Sequence, residues 1–213
     1  MKWDRVAKAL FEIAPKHVLI HMGLVVTTLV VAIIISVPMG IILTRPRCKK
    51  LGIVILNILN VLQTIPPFAM IAVAMPLIGI GYKPAIIVLI TQSLLPITRN
   101  TIVGIAEVSP AVKEAAKGMG MPERQILTEI ELPMAMPIII SGIKTSSVYV
   151  VSTATLAGFI GAGGLGVLIS AGLNMFWKEY LIVGAALGAI MAISMDSLWK
   201  YVEKKCTYNM GGI

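Results

Sequence analysis

HVLIHMGLVVTTLVVAIIISVPMGIILT, residues 17–44, runs for 28 residues without an Asp, Glu, Lys or Arg. As a helix at about 1.5 Å per residue it reaches roughly 42 Å, more than the hydrocarbon core of a bilayer, roughly 30 Å, demands. Residues 51–82 and 145–177 are charge-free as well, and each is long enough to cross. Two shorter runs, 84–98 and 180–195, complete spans if Arg99 and Asp196 lie near an interface, where an arginine can snorkel. The expectation is an all-α, polytopic membrane bundle of five transmembrane helices, at 18–43, 52–77, 84–104, 136–159 and 180–199.

Composition agrees, with 57% apolar and 13% charged residues in 213. That leaves too little polar surface to coat a water-soluble domain of this size. The formal charge of +8 does not indicate nucleic acid, because the basic residues flank apolar spans and form no aromatic-studded face. Pro38, Pro66, Pro67, Pro76 and Pro96 are expected to kink or interrupt the helices, with the Pro66-Pro67 pair the principal break.

Five spans put the termini on opposite sides. With the amino terminus outside, Lys2, Arg5, Lys8, Lys16, Lys83 and Lys178 lie outside. Arg45, Arg47, Lys49, Lys50, Arg99, Lys113, Lys117, Arg124, Lys144, Lys200, Lys204 and Lys205 then face the cytoplasm, the bias that basic residues show in membrane proteins. The division expected is an extracytoplasmic segment 1–17, a transmembrane domain 18–199 with a cytoplasmic loop at 105–135, and a cytoplasmic tail 200–213. No small-residue cleavage site follows the first apolar run, so the first helix is expected to be retained rather than removed as a signal.

The loop contains Glu114–Pro133, EAAKGMGMPERQILTEIELP, a mostly polar island. Ser109-Pro110 reads as a cap followed by a first-turn proline, and Gly118 and Gly120 as a stop. Pro122 opens a second short helix that Pro133 is expected to end. Ile126, Leu127 and Ile130 share one face of it, suited to a groove on another protein.

The island fits E-A-A-x3-G-x9-I-x-L-P at every fixed position and resembles the EAA coupling motif of type I ABC importer permeases. With LQTIPPFAMIAVAMPLIGIGYKPAII, LLPITRNTIVGI and STATLAGFIGAGGLG, the chain from His17 to Trp199 is similar to the permease subunits of osmoprotectant importers, which carry glycine betaine, carnitine or choline. The resemblance implies the MetI-like permease fold in a bacterial inner or plasma membrane, as a homodimer or a pair of paralogous permeases surrounded by lipid. It implies as partners ABC ATPase subunits that grip the loop and bind the ATP, and a lipoprotein or periplasmic solute-binding protein. By position, Glu114 would anchor the loop through a charged contact, Ala115 and Ala116 would allow close approach, and Gly120 would make the turn. Ile126 belongs to the same docking segment, and Ile130, Leu132 and Pro133 would seat its second helix.

The chain itself is expected to be no enzyme and to hold no cofactor or metal. It has no Gly-Lys dipeptide and so no phosphate loop of the Walker type. GAGGLG at 161–166 spells a dinucleotide fingerprint, but no strand precedes it and no suitable acid follows; flexible backbone at the outer mouth is the expectation. His17 and His21, one turn apart, lack a third metal ligand and read as interfacial side chains. Cys48 and Cys206 both fall on the cytoplasmic side, where disulfides are disfavoured.

Polar residues within the spans need partners or water. Asn57, Asn60 and Thr64 form a stripe, Gln92 lies midway along the third span, and Ser147, Tyr149, Ser152, Thr153 and Thr155 crowd the fourth; these are the candidate pathway residues, with interhelical bonding the equal alternative. A trimethylammonium group calls for an aromatic cage, and Tyr149 is the sole aromatic within the polar run, so selection is expected to rest with the binding protein. Other solutes remain open (bile-linked, amino acid or other quaternary amine). An ion-coupled secondary transporter would want acidic groups at mid-membrane, and only Asp196 lies within a span.

Overall fold

The apolar run that begins at His17 is the later part of a longer helix. The computed structural model describes residues 2–210, with side chains through residue 207, and its first helix, α1, extends over Trp3–Leu43, with a wide π turn at Lys8–Ile13. The expected start at residue 18 falls inside it. The polar early turns are held by tertiary contacts that a hydropathy reading does not register: the Lys2 backbone N–H donates to Glu179 Oε1 at 2.6 Å, and the Arg5 guanidinium sits 4.3 Å over the Trp177 ring.

The Pro66-Pro67 break is realised in full. Helix α2 (Lys49–Thr64) and helix α3 (Pro67–Ile78) meet at 94°. Ile65 and Pro66 are both extended, as a residue preceding proline must be, and Pro67 opens the next helix in its first turn. Pro38, Pro76 and Pro96, in contrast, are carried inside uninterrupted helices.

Helix α4 (Tyr82–Ala106) leads to the short α5 (Pro110–Gly118) and then to α6 (Glu123–Ile160), whose carboxyl-terminal end tightens to a 3-10 helix at Ala154–Ile160. Helices α7 (Gly166–Asn174) and α8 (Lys178–Met210) complete the described chain, which contains no strand. Four helices are long and apolar enough to cross a membrane, and the bent α2–α3 pair makes five if it counts as one span.

The expected stop at Pro133 does not occur. Leu127–Glu131 forms a π turn and the helix continues through Leu132 and Pro133 to Thr153. A widened turn gives the proline ring room where the regular i−4 carbonyl would clash with it.

Helix α4 is the hub, packed against α1, α2, α3 and α6, while α8 closes on α6 and α7. One apolar cluster, including Leu24, Leu29, Leu89, Val150, Leu165 and Leu168, fills the half nearer the amino terminus. A second, built on Ala32, Ile97, Ile105, Ala135, Ile139 and Ile143, lies toward the 107–131 loop. The amino terminus and the α7–α8 junction therefore share one end of the bundle, and the loop shares the other with Arg45.

Candidate functional site

The loop between α4 and α6 is a compact turn. Pro110 starts α5 as its sequence suggests, but Ser109 makes no side-chain cap. The end of α5 is closed by Gly120 in the left-handed region, φ +82, with Gly120 N–H donating to the Lys117 carbonyl at 2.9 Å and Met121 N–H to the Ala116 carbonyl at 3.1 Å. Those two bonds satisfy the last carbonyls of the helix and reverse the chain. Lys117 and Glu123 bridge the turn at 2.8 Å. The Glu123 carboxylate, by its hydrogen bond and its charge, holds the Lys117 ammonium above the usual lysine range.

Glu114, Ala115 and Gly120 are exposed, Ala116 is buried, and Met119 projects at the apex with 74% of its surface open. Glu114 has no ion-pair partner among the described residues. The charge that fastens the loop to the bundle is Glu131, absent from the sequence-derived set. Its carboxylate is buried, with Oε2 accepting from Arg45 Nη2 at 2.5 Å and Oε1 3.1 Å from Lys113 Nζ. Lys113 Nζ also donates to the Ile105 carbonyl at 3.1 Å, capping α4. One carboxylate thus joins the end of α1, the end of α4 and the loop helix α5. The only sequence signal for it is that Glu131 lies inside an otherwise apolar I-x-L-P run.

Ile126 is buried, and Leu127, Ile130 and Leu132 are half-buried, while Pro133 is exposed. The apolar face expected to seek a partner's groove is turned at Ile126 onto the chain's own helices. Beneath the loop is a cavity of ≈ 640 Å³ lined by residues including Arg45, Lys49, Lys113, Ile126 and Glu131.

The candidate pathway residues divide into two groups. Gln92 and Ser147 are enclosed within the bundle: Gln92 Nε2 donates to the Ile65 carbonyl at 3.1 Å, and Ser147 Oγ to the Ile143 carbonyl at 2.7 Å. Asn57, Thr64 and Ser152 are exposed on the chain's own surface, and Asn60, Tyr149, Thr153 and Thr155 are half-exposed. Asn60 Oδ1 accepts from Arg99 Nη2 at 2.6 Å. Phe68 and Phe159 stack edge to face, centroids 6.2 Å apart at 84°, and add an exposed aromatic pair beyond Tyr149.

At the opposite end the GAGGLG run is closely packed. Gly161, Gly163 and Gly164 take left-handed backbone, and a Cβ on Gly166 would stand 1.7 Å from the Thr155 carbonyl oxygen. The turn between α6 and α7 is a backbone-on-backbone contact. His21 locks it: fully buried, its Nε2 lies 3.0 Å from the Val151 carbonyl oxygen and its Nδ1 accepts from Leu165 N–H at 3.3 Å. With those partners Nε2 carries the proton. His21 is a core joint and not the interfacial side chain its sequence suggests, because α1 begins much earlier. Among the described residues no three side chains could hold a metal ion, and Cys48 and Cys206 are free.

Known proteins place this geometry. The profile of the family described as "Binding-protein-dependent transport system inner membrane component" matches residues 36–208. The choline transport system permease protein OpuBB of Bacillus subtilis is 42% identical over 187 residues, 88% of this chain and 85% of that protein. The glycine betaine/carnitine/choline transport system permease protein OpuCB of the same organism is 43% identical over 187 residues, again 88% and 85%. The osmoprotectant import permease protein OsmY of Salmonella typhimurium is 43% identical over 185 residues, 87% and 78%. In fold, an inward-facing structure of the MetNI methionine ABC transporter aligns with TM-score 0.79 and 21% identity, over 90% of this chain and 94% of that one.

Proposed function

Since this chain belongs to the binding-protein-dependent transport system inner membrane components, a multi-pass permease family, we propose that its solute is a quaternary-ammonium osmoprotectant of the glycine betaine, carnitine or choline kind and that a separate ATPase moves it. The observation that carries the second half is the loop. A short helix with an exposed apex at Met119 is rigidly fastened through Glu131 to the ends of α1 and α4. A force applied to the apex is therefore delivered to two membrane helices.

Glu114, exposed and without an ion-pair partner among the described residues, contributes its charge to the docked ATPase. Ala115 and Gly120 let the two surfaces approach. ATP is bound by that partner, and this chain needs no cofactor of its own. A solute-binding protein delivers the substrate, and two copies of this chain, or this chain and a paralogue, face each other across the pathway. Exposed Asn57 and Ser152 support the last point, since polar side chains without a bond inside their own helix are stabilised on the outside of a membrane bundle by water or by a second polypeptide, not by lipid.

The solute reading rests on the 42% and 43% identical relatives and on their names. It is tested by uptake of radiolabelled glycine betaine, carnitine and choline into proteoliposomes holding the reconstituted importer. ATP-dependent accumulation of at least one is expected; accumulation of none, with ATP hydrolysis intact, assigns the permease to another solute.

A further inference from the structure

Arg99 is a charge in the wrong place for an arginine that snorkels. The cavity beneath the loop is lined by both Lys49 and Ala106, so the loop-side ends of α2 and α4 border the same space. At about 1.5 Å per residue, Arg99 stands roughly 10 Å above Ala106 along α4, and Asn60 roughly 16 Å above Lys49 along α2. The guanidinium is bonded to Asn60, well inside α2, so it is held within the span and not extended to the loop-side interface. Helix geometry explains why: α4 runs toward the loop, and side chains lean toward a helix's amino terminus.

Arg99 is exposed on the surface of the chain, and no carboxylate pairs with it among the described residues. A guanidinium in that position is not stable against lipid tails, so the face it shares with Asn57 and Asn60 is wet. A planar fork with unused N–H donors, beside amide side chains, is suited to a carboxylate.

We infer that Arg99, set by Asn60, is a carboxylate-reading subsite of the translocation pathway, and that it makes this permease favour zwitterionic solutes carrying a carboxylate over choline, which has none. The inference rests on the quaternary-ammonium reading above and adds to it the other end of the solute. The cationic head passes the neutral and aromatic surface, and the carboxylate end is met by Arg99.

The test compares glycine betaine with choline as labelled substrates in proteoliposomes of the complete importer. Arg99→Gln removes the charge. Asn60→Asp leaves the arginine but occupies it internally, and serves where loss of the arginine impairs insertion. Each variant is expected to lower glycine betaine uptake about tenfold or more, with choline uptake within about twofold of wild type. Arg99→Lys is expected to fall between. A ratio of glycine betaine to choline uptake unchanged from wild type in both variants overturns the inference. Wild-type protein that carries choline alone overturns it too while leaving the proposed function standing; wild-type protein that carries neither removes both.

Discussion

Gln92 Nε2 donates to the carbonyl oxygen of Ile65 at 3.1 Å, across the point where α2 ends and the chain turns by 94° into α3. A proline pair breaks the helix there, and in a membrane the freed carbonyl cannot rely on water. Gln92 also approaches Met70 Sδ at 3.0 Å, so one side chain holds both limbs of the bend. Gln92→Leu is expected to cost about 1 kcal/mol, lowering the melting temperature of the detergent-solubilised protein by roughly 2–4 °C. An unchanged melting curve would show that the bend is held by packing alone.

The 161–166 turn makes a sharper demand. A methyl group on Gly166 would overlap the Thr155 carbonyl oxygen, and one on Gly158 would meet Gly166 itself at 2.3 Å. Gly166→Ala is therefore expected to force the α6–α7 contact apart, at about 3 kcal/mol or more, and to expose the turn to limited proteolysis. Gly188→Ala, where nothing lies within 4 Å, is the matched control and is expected to behave as wild type.

Glu131 tests whether the loop is a rigid extension of the bundle. Glu131→Gln keeps the shape but leaves Arg45 and Lys113 without their counter-charge. Since both are partly open to solvent, the expected loss is about 1–3 kcal/mol, below that of a fully buried pair. Hydrogen exchange across 107–131 should quicken while that of α8 stays as it was.

At Gly120 two substitutions separate backbone strain from loss of the turn. There is space for a Cβ, so Gly120→Ala carries only the left-handed penalty, about 1–2 kcal/mol. Gly120→Pro also deletes the N–H that bonds Lys117 and imposes the opposite sign of φ. Solute-stimulated ATP hydrolysis should survive the first in weakened form and be abolished by the second, with both variants inserted in the membrane.

Much of this fold was legible in the sequence because bilayer thickness imposes length on apolar runs and proline imposes geometry on its neighbours. The spans, the break at Pro66-Pro67, the start at Pro110 and the reversal at Gly120 all follow from such local rules. What was not legible depended on contacts between distant residues. Pro133 passes through a helix because the turn before it widens, and Trp3 starts one because Glu179 and Trp177 meet the polar residues of its first turns. Glu131 resembles a surface acid until Arg45 and Lys113 are seen beside it. Ile126 and Ile130 share a periodic face, but periodicity does not say whether that face is turned toward a partner or toward home.

The central claim is that a separate ATPase drives this chain through its α5–α6 loop. Co-expression with the ATPase subunit of the same transport system, followed by purification in detergent and reconstitution with the solute-binding protein, measures it directly. The expected result is a stable complex in which solute accelerates ATP hydrolysis and ATP drives uptake, both lost in Gly120→Pro. No ATPase co-purifying with the wild-type chain, or uptake that proceeds without ATP, would contradict it.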